Sequence, residues 1–463
     1  MCETDTAAGA HQPPTGGSDA VVVARLARLR AVAELVQRYL DRIREEHAGV
    51  TEGHLADYIP ELATVDPDRF GLSLSSSDGF VYESGDTAVE FTIQSISKPF
   101  TYALALDQIG QQAVDARIGV EPTGEAFNEI SVDDTTKTPK NPMINAGAIA
   151  AVSLVPGATS EERFERIHDF YSACAGRRLG VDLDVYSSEK ATGSRNRAIA
   201  YMLDCFGVLE GDPEEVLDVY FRQCSITVTC TDLARMAATL ARGGVNPLTG
   251  RRVTDGSVVQ RTLSVMVTCG MYDAAGDWVT AVGMPAKSGV GGGIVAVLPG
   301  QLGIGVYSPR LDRKGNSVRG IRVCRSLSRE LGLHFLTVTR ESRSTIRSIY
   351  DAAAGIRVYE VHGDLLFTGA EQVLRTIERD KDSFDVAILE VSRVDDSNDA
   401  ARNLLAGMRA MLKDIGKEGY VVDPDGVVVR FERRDDPVLD VIVMADLQDA
   451  IDSAKRFRRA LFS

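Results

Sequence analysis

FTIQSISKPF, residues 91–100, is the stretch on which the reading of this chain turns. Inside it lies Ser95-Ile96-Ser97-Lys98, a Ser-x-x-Lys. Residues three apart share a helix face, so Ser95 and Lys98 meet if a helix starts here. Pro99 has no N–H and is poorly tolerated beyond a first turn. It predicts a helix beginning at about Ser95–Ser97, continued by TYALALDQIG (101–110). Ser95 then sits at a positive helix end, where backbone N–H groups stabilise a developing oxyanion. Two readings stand. Ser95 is a nucleophile and Lys98 its base, or Ser95 is an N-cap serine followed by a solvated lysine. The first requires the lysine pKa to fall from ~10.4 to roughly 7–8, an environmental bias of about 4 kcal/mol.

The rest of the chain bounds the choice. With 463 residues, 44% hydrophobic and 25% charged, it has the composition of a soluble globular protein long enough for two or three domains. A net charge of −15 argues against a nucleic-acid partner, which needs a basic face. No apolar run is long enough to span a bilayer, so no membrane partner is expected. Residues 1–24 are expected to be a disordered tail rather than a secretory signal, because MCETDTAAGAHQPPTGGSDA has neither a basic start nor an apolar stretch. The seven cysteines are scattered without a Cys-x-x-Cys. This points away from a zinc site or disulfide framework and toward a reducing cytoplasm. The six histidines form no His-Glu-x-x-His. No metal and no cofactor is expected.

AVVVARLARLRAVAELVQRYLDRIREE (20–46) has helical periodicity, and FGLSLSSSDGFVYESGD (70–86) reads as two strands around a Ser-Asp-Gly turn. The middle region is mostly helical, as in AIAYMLDCFGVL (198–209) and TDLARMAATLARGGV (231–245). From about 279, WVTAVGMPAKSG, GIVAVLPG and LGIGVYSP read as adjacent antiparallel strands, closed by a helix over 316–335. Residues 340–355 lack a core pattern and read as a linker. From Ile356 to Ser463, strands alternate with helices, including one from Asp399 to Leu412, as in a small α/β domain.

Lys287-Ser288-Gly289 lies at a strand start in AVGMPAKSGVGGGIVAVLPG. A Ser-x-x-Lys on a helix followed by Lys-Ser/Thr-Gly on a strand is the pattern of serine acyl-transferases of the β-lactamase and penicillin-binding type. Over roughly 25–335 the chain resembles the serine-dependent glutaminases, which implies a catalytic domain over 25–339. The likeness is carried by ADYIPELA (56–63), IQSISKPF (93–100), PKNPMINAGAI (139–149), SSEKATGSRNRAIAYML (187–203), VYFRQCSITVTC (219–230), CGMYD (269–273) and PAKSGVGGGI (285–294), in family order. It departs at Lys190, Ala191 and Thr192.

The resemblance implies an α/β (α+β) fold: a β-lactamase-type catalytic domain with an antiparallel sheet and a helical subdomain. It implies hydrolysis of L-glutamine, with Ser95 as nucleophile, Lys98 its partner and Tyr272 the proton shuttle. Substrate contacts are implied for Tyr58, Asn145, Glu189, Asn196, Tyr220, Tyr272 and the backbone of Val290. A glutamine zwitterion suits this set. Glu189 offers an anion for the ammonium, Asn145, Asn196 and tyrosine hydroxyls offer donors for the carboxylate, and the N–H groups of Ser95 and Val290 face the oxyanion. The family also implies a homo-oligomer, a dimer or tetramer.

Residues 356–463 more loosely resemble a STAS module, through VYEVHGDLLF and VAILEVSRV. In partner-switching members an Asp-Ser pair is phosphorylated. Here Asn398-Asp399 occupies that place with Ser397 beside it. A scaffold, an oligomerisation module or a docking site for a protein partner are its expected roles. Two other readings of the whole chain are a related amide hydrolase and a ligand-sensing regulatory protein.

Overall fold

The computed structural model describes residues 30–123, 132–336, 345–428 and 441–461. The tail expected over 1–24 lies outside them. The first helix, α1 (Arg30–Ala48), buries Val36, Leu40 and Ile43 at helical spacing. Strands β1 (Gly71–Ser76) and β2 (Val81–Gly85) pair around Ser77-Asp78-Gly79, as the turn residues predict.

Three late strands join them: β6 (Ala286–Ser288), β7 (Gly293–Leu298) and β8 (Leu302–Tyr307). The result is an antiparallel sheet in the order β2-β1-β8-β7-β6. Between β2 and β6 the chain contributes a small sheet of β3 (Phe91–Thr92), β4 (Gly180–Val181) and β5 (Ile226–Val228). It also contributes the helices α2 (Ser97–Ile109), α3 (Asn145–Leu154), α4 (Ser160–Ala175), α5 (Leu183–Thr192), α6 (Ser194–Cys205), α7 (Pro213–Cys224), α8 (Cys230–Ala241) and α9 (Gly256–Cys269).

Side chains on alternate positions of β7 and β8 point to opposite faces. Val295, Val297 and Tyr307 enter the core of the helical half. Ile294, Ala296, Leu298, Leu302, Ile304 and Val306 enter a second core with α1 and α10 (Val318–Leu331). Both strands are therefore buried throughout. Helix α8 rests directly on the sheet because β8 carries Gly303 and Gly305. A Cβ on either would lie 2.2–2.4 Å from backbone atoms of that helix.

The C-terminal unit is a mixed sheet, β13-β12-β11-β10-β9. Its strands are β9 (Ile346–Ala353), β10 (Ile356–Leu365), β11 (Val386–Ser397), β12 (Glu418–Val422) and β13 (Val443–Met444). Strand β9 runs antiparallel to β10 and the others are parallel. Helices α11 (Phe367–Arg379), α12 (Asp399–Ala406) and α13 (Met408–Lys413) contribute to one core, and α14 (Leu447–Leu461) covers the opposite side. The first of these cores is continuous with that of α1 and the antiparallel sheet β2-β1-β8-β7-β6. Arg375 on α11 reaches Asp78 (2.6 Å), Thr368 reaches Gln301 (2.7 Å), and Asn398 donates to the Leu331 carbonyl at 2.8 Å.

Three expectations change. Part of the linker expected over 340–355 is strand β9, whose half-exposed edge position hid its pattern. WVTA belongs to a short helix, Ala275–Ala281, and the strand begins only at Ala286, after Pro285. The helix expected from Asp399 to Leu412 breaks at Gly407, where a Cβ would press on Leu35 of α1 at 2.9 Å.

Candidate active site

Strand β3 runs into a single 3-10 turn, Gln94–Ile96, and α2 starts at Ser97. Pro99 therefore falls in the first turn of α2, where its missing N–H costs nothing. Ser95 caps nothing. The N-cap position of α2 is Ile96, with no side-chain cap bond. Lys98 is not solvated either, being fully buried. The capping alternative for Ser95 and Lys98 is thereby excluded.

Burial pulls the Lys98 ammonium down to about 8, against smaller opposing pulls from Cys224 and Glu189. That is the range a general base needs, and it corresponds to about 3 kcal/mol of bias against the charged form. Lys98 Nζ donates to Asn145 Oδ1 at 2.6 Å, and Asn145 Nδ2 donates to Asn196 Oδ1 at 3.0 Å. Asn145 opens α3 and Asn196 lies in the first turn of α6, so three helix beginnings meet on this amide chain.

The Ser95 hydroxyl is hydrogen-bonded to Tyr272. Tyr272 donates its own proton to the Ser288 carbonyl at 2.9 Å, so Ser95 is the donor toward the tyrosine oxygen. The same carbonyl accepts from Lys287 Nζ at 2.7 Å, and that ammonium lies 3.8 Å from the centre of the Tyr272 ring. Burial, then the charge of Lys98, holds Lys287 well below its usual pKa. Gly270 lets the chain before Tyr272 touch β6, since a Cβ there would sit 1.8 Å from the Ala286 carbonyl oxygen.

Gln94 and Tyr272 both adopt the left-handed region, φ 49° and 56°. Such conformations cost about 1–3 kcal/mol in non-glycine residues and concentrate at functional sites. The N–H groups of Ser95 and Val290 have no acceptor among the described residues. Val290 follows Lys287-Ser288-Gly289 in the turn closed by Gly289 N–H to Gly293 O at 3.0 Å.

Glu189 is buried on α5, and desolvation pushes its carboxyl up to about 7. A hydrogen bond from Gln94 and the charge of Lys98 pull the other way. Its Oε1 is buried with no partner among the described residues. Tyr220 is buried, against Cys224 and near Glu189 and Tyr272. Tyr58 is about half exposed, yet its hydroxyl end feels Tyr272 and Glu189, so it stands at the mouth of the cleft. The structure thus brings Ser95, Lys98, Tyr272, Asn145, Asn196, Glu189, Tyr220 and Tyr58 together, with Val290 in the turn after β6. Gln94, which holds Glu189, and the Ser288 carbonyl, which holds Tyr272, were not foreseen. Nothing in a sequence marks a left-handed glutamine or a carbonyl acceptor. Lys287 was visible in its box but had no assigned task.

The glutaminase family model matches residues 53–336, more than half of the chain. Glutaminase 2 of Bradyrhizobium diazoefficiens is 48% identical over 390 residues, 80% of this chain and 62% of that one; the chain thus spans under two thirds of this relative's length. The glutaminase of Microcystis aeruginosa is 51% identical over 66% of this chain and 91% of its own. That of Corynebacterium glutamicum is 43% identical over 86% and 96%. Among solved structures, Mglu in its glutamate form has a TM-score of 0.65 at 40% identity, covering 85% of this chain and 99% of that one. With this family match over the segment that holds the Ser95–Lys98 site, the chain belongs to the glutaminase family.

Proposed function

We propose that the chain hydrolyses L-glutamine to L-glutamate and ammonia through a glutamyl-serine intermediate at Ser95. The observation that carries this is the unpartnered, buried Oε1 of Glu189 beside a serine, a tyrosine and a lysine of lowered pKa. Glu189 takes the substrate ammonium, and Asn145, Asn196 and the hydroxyls of Tyr58 and Tyr220 take its carboxylate. Ser95 attacks the side-chain carbonyl while neutral Lys98 receives its proton by way of Tyr272. The N–H groups of Ser95 and Val290 bind the oxyanion. Tyr272 returns the proton to the leaving ammonia, and water releases glutamate by the reverse steps. Ammonia release by the purified protein from glutamine, asparagine and a chromogenic β-lactam tests the reading. Turnover of glutamine alone, lost in Ser95→Ala, is expected; wild-type turnover in Ser95→Ala would sink the mechanism.

The C-terminal unit is proposed to be a STAS-like scaffold. Its sheet order and helix placement support a small α/β module, and its docking supports the scaffold role. Asn398 caps α12 and binds the Leu331 carbonyl, while Ser397 is buried and donates to the Val427 carbonyl at 2.6 Å. A phosphate on Ser397 would bring about two negative charges into this packed joint. The Microcystis relative matches over 307 residues that make up 91% of its length, which supports catalysis residing in the first unit. Among the described residues no helix is long and apolar enough to cross a membrane. A cytoplasmic setting, a homodimer or homotetramer, and a protein partner for the C-terminal unit complete the proposal.

A further inference from the structure

Behind the catalytic turn lies a buried polar chain that the proposed mechanism does not use. Thr101 on α2, Tyr171 on α4 and Gln223 on α7 are fully buried. Tyr171 Oη lies 2.8 Å from the carbonyl oxygen of Ser97, the residue between Ser95 and Lys98 that opens α2. Thr101 Oγ1 lies 2.5 Å from Tyr171 Oη and 2.7 Å from Gln223 Oε1, while Gln223 Nε2 is buried without a partner among the described residues.

Counting protons orients this chain. Two hydroxyls carry one proton each, yet there are three contacts. The Ser97 carbonyl can only accept, so Tyr171 donates to it. Thr101 must then donate to Tyr171. With its proton so used, Thr101 needs a donor from Gln223, so the amide must be turned over to present Nε2 where Oε1 is placed. The opposite direction would leave Tyr171 Oη and the Ser97 oxygen 2.8 Å apart with no proton between them, and would leave a buried Gln223 N–H unmatched. The amide orientation is therefore set by the network rather than by its outline.

We propose that Gln223, Thr101 and Tyr171 form a one-directional hydrogen-bond relay that positions the nucleophile turn. It draws donors from two other helices onto the Ser97 carbonyl. The entry into α2 needs such an anchor. Ser95 sits in a 3-10 turn entered through the strained Gln94, and the N-cap of α2, Ile96, offers no side-chain bond to hold that turn. Donors in sequence polarise one another, which strengthens the terminal bond to Ser97. Tyr171 and Thr101 touch neither substrate nor the reacting atoms, so they are positioning residues.

The inference rests on the reading of Ser95 and Lys98 as the reacting pair, so Ser95→Ala is the control. Steady-state kinetics on glutamine, with the melting temperature of each variant, test the relay. Thr101→Val keeps the shape but breaks two contacts, Tyr171→Phe breaks two, and Thr101→Ser keeps the hydroxyl. Thr101→Val and Tyr171→Phe are expected to lower kcat about tenfold with KM within about twofold, and Thr101→Ser to restore most of kcat. The double variant should lose no more than either single one, since both break one unit. Wild-type kcat in folded Thr101→Val, or Thr101→Ser as slow as Thr101→Val, overturns the relay. Should Tyr171→Phe not fold, the Thr101 pair decides alone. Turnover surviving in Ser95→Ala instead overturns the site reading beneath it.

Discussion

Lys98 Nζ donates to Asn145 Oδ1 at 2.6 Å, while the Ser95 hydroxyl is bonded to Tyr272. The lysine and the serine of the Ser-x-x-Lys are thus held by different partners in the free enzyme. Asn145 is neutral, so it orients the lysine without raising its pKa. Replacing Asn145 with Asp would put a carboxylate against the ammonium and favour the protonated form. In Asn145→Asp, the acid limb of kcat/KM should move upward from about 8, with turnover at pH 7.5 down at least about tenfold. A pH–rate profile measures this, and an unmoved limb removes Lys98 as the base.

Turnover should rise with pH between about 7 and 8 in the wild type. Lys98 must lose its proton to act, and Glu189, pushed up to about 7, must lose its own to hold an ammonium. Glu189→Gln should raise KM for glutamine by about tenfold or more, the loss of a charged hydrogen bond of about 1.5–3 kcal/mol. Unchanged saturation kinetics in that variant would dismiss the ammonium-binding role.

The buried lysine should cost stability. Its folded pKa lies below the unfolded value, so the unfolded chain binds more protons between about 8 and 10.4, and stability rises with pH across that window. Glu189 has the opposite sign. Its raised pKa makes the folded state the better proton binder from about 4.3 to 7, and stability falls as pH climbs through that range. Lys98→Met should therefore melt higher than wild type at pH 7, by about 1–3 kcal/mol, with the gain shrinking toward pH 10. Calorimetry at the two pH values checks it.

Lys287 links the Ser288 carbonyl to the Tyr272 ring. Lys287→Met should leave KM nearly unchanged and lower kcat about a hundredfold, because Tyr272 loses the amine packed on its ring and the donor that shares its acceptor, the Ser288 carbonyl. Stopped-flow acylation with a chromogenic amide locates the loss, and a variant impaired only in KM would contradict it.

The joint between the two units contains Glu371 and Arg375 on α11, with Tyr82 of β2 bonded to the carboxylate. Arg375→Met strands a buried acid whose pKa burial already raises. It should destabilise the protein by about 3–5 kcal/mol, with kcat per folded molecule unchanged. Thermal melts and assays at a permissive temperature read the two effects separately.

Much of this was legible along the chain. The β1–β2 hairpin follows from its Ser-Asp-Gly turn, the start of α2 from Pro99, and the proposed catalytic pair from two boxes in order. These rest on local rules: φ limits, missing N–H groups and periodicity act within a few residues. What lowers the pKa of Lys98 is not local. Its burial is completed by α3, α5 and α7, which are distant in sequence, and desolvation depends on the summed surroundings rather than on any neighbour in the chain. The same holds for the left-handed Gln94 and Tyr272, whose strain is sustained by packing from elsewhere. It holds too for β9, which became a strand only because β10 offered it a free edge. The sequence alone determined which residues are the candidates for the chemistry. Tertiary structure decided their protonation and orientation, because both are set by how water is excluded when remote segments close around them.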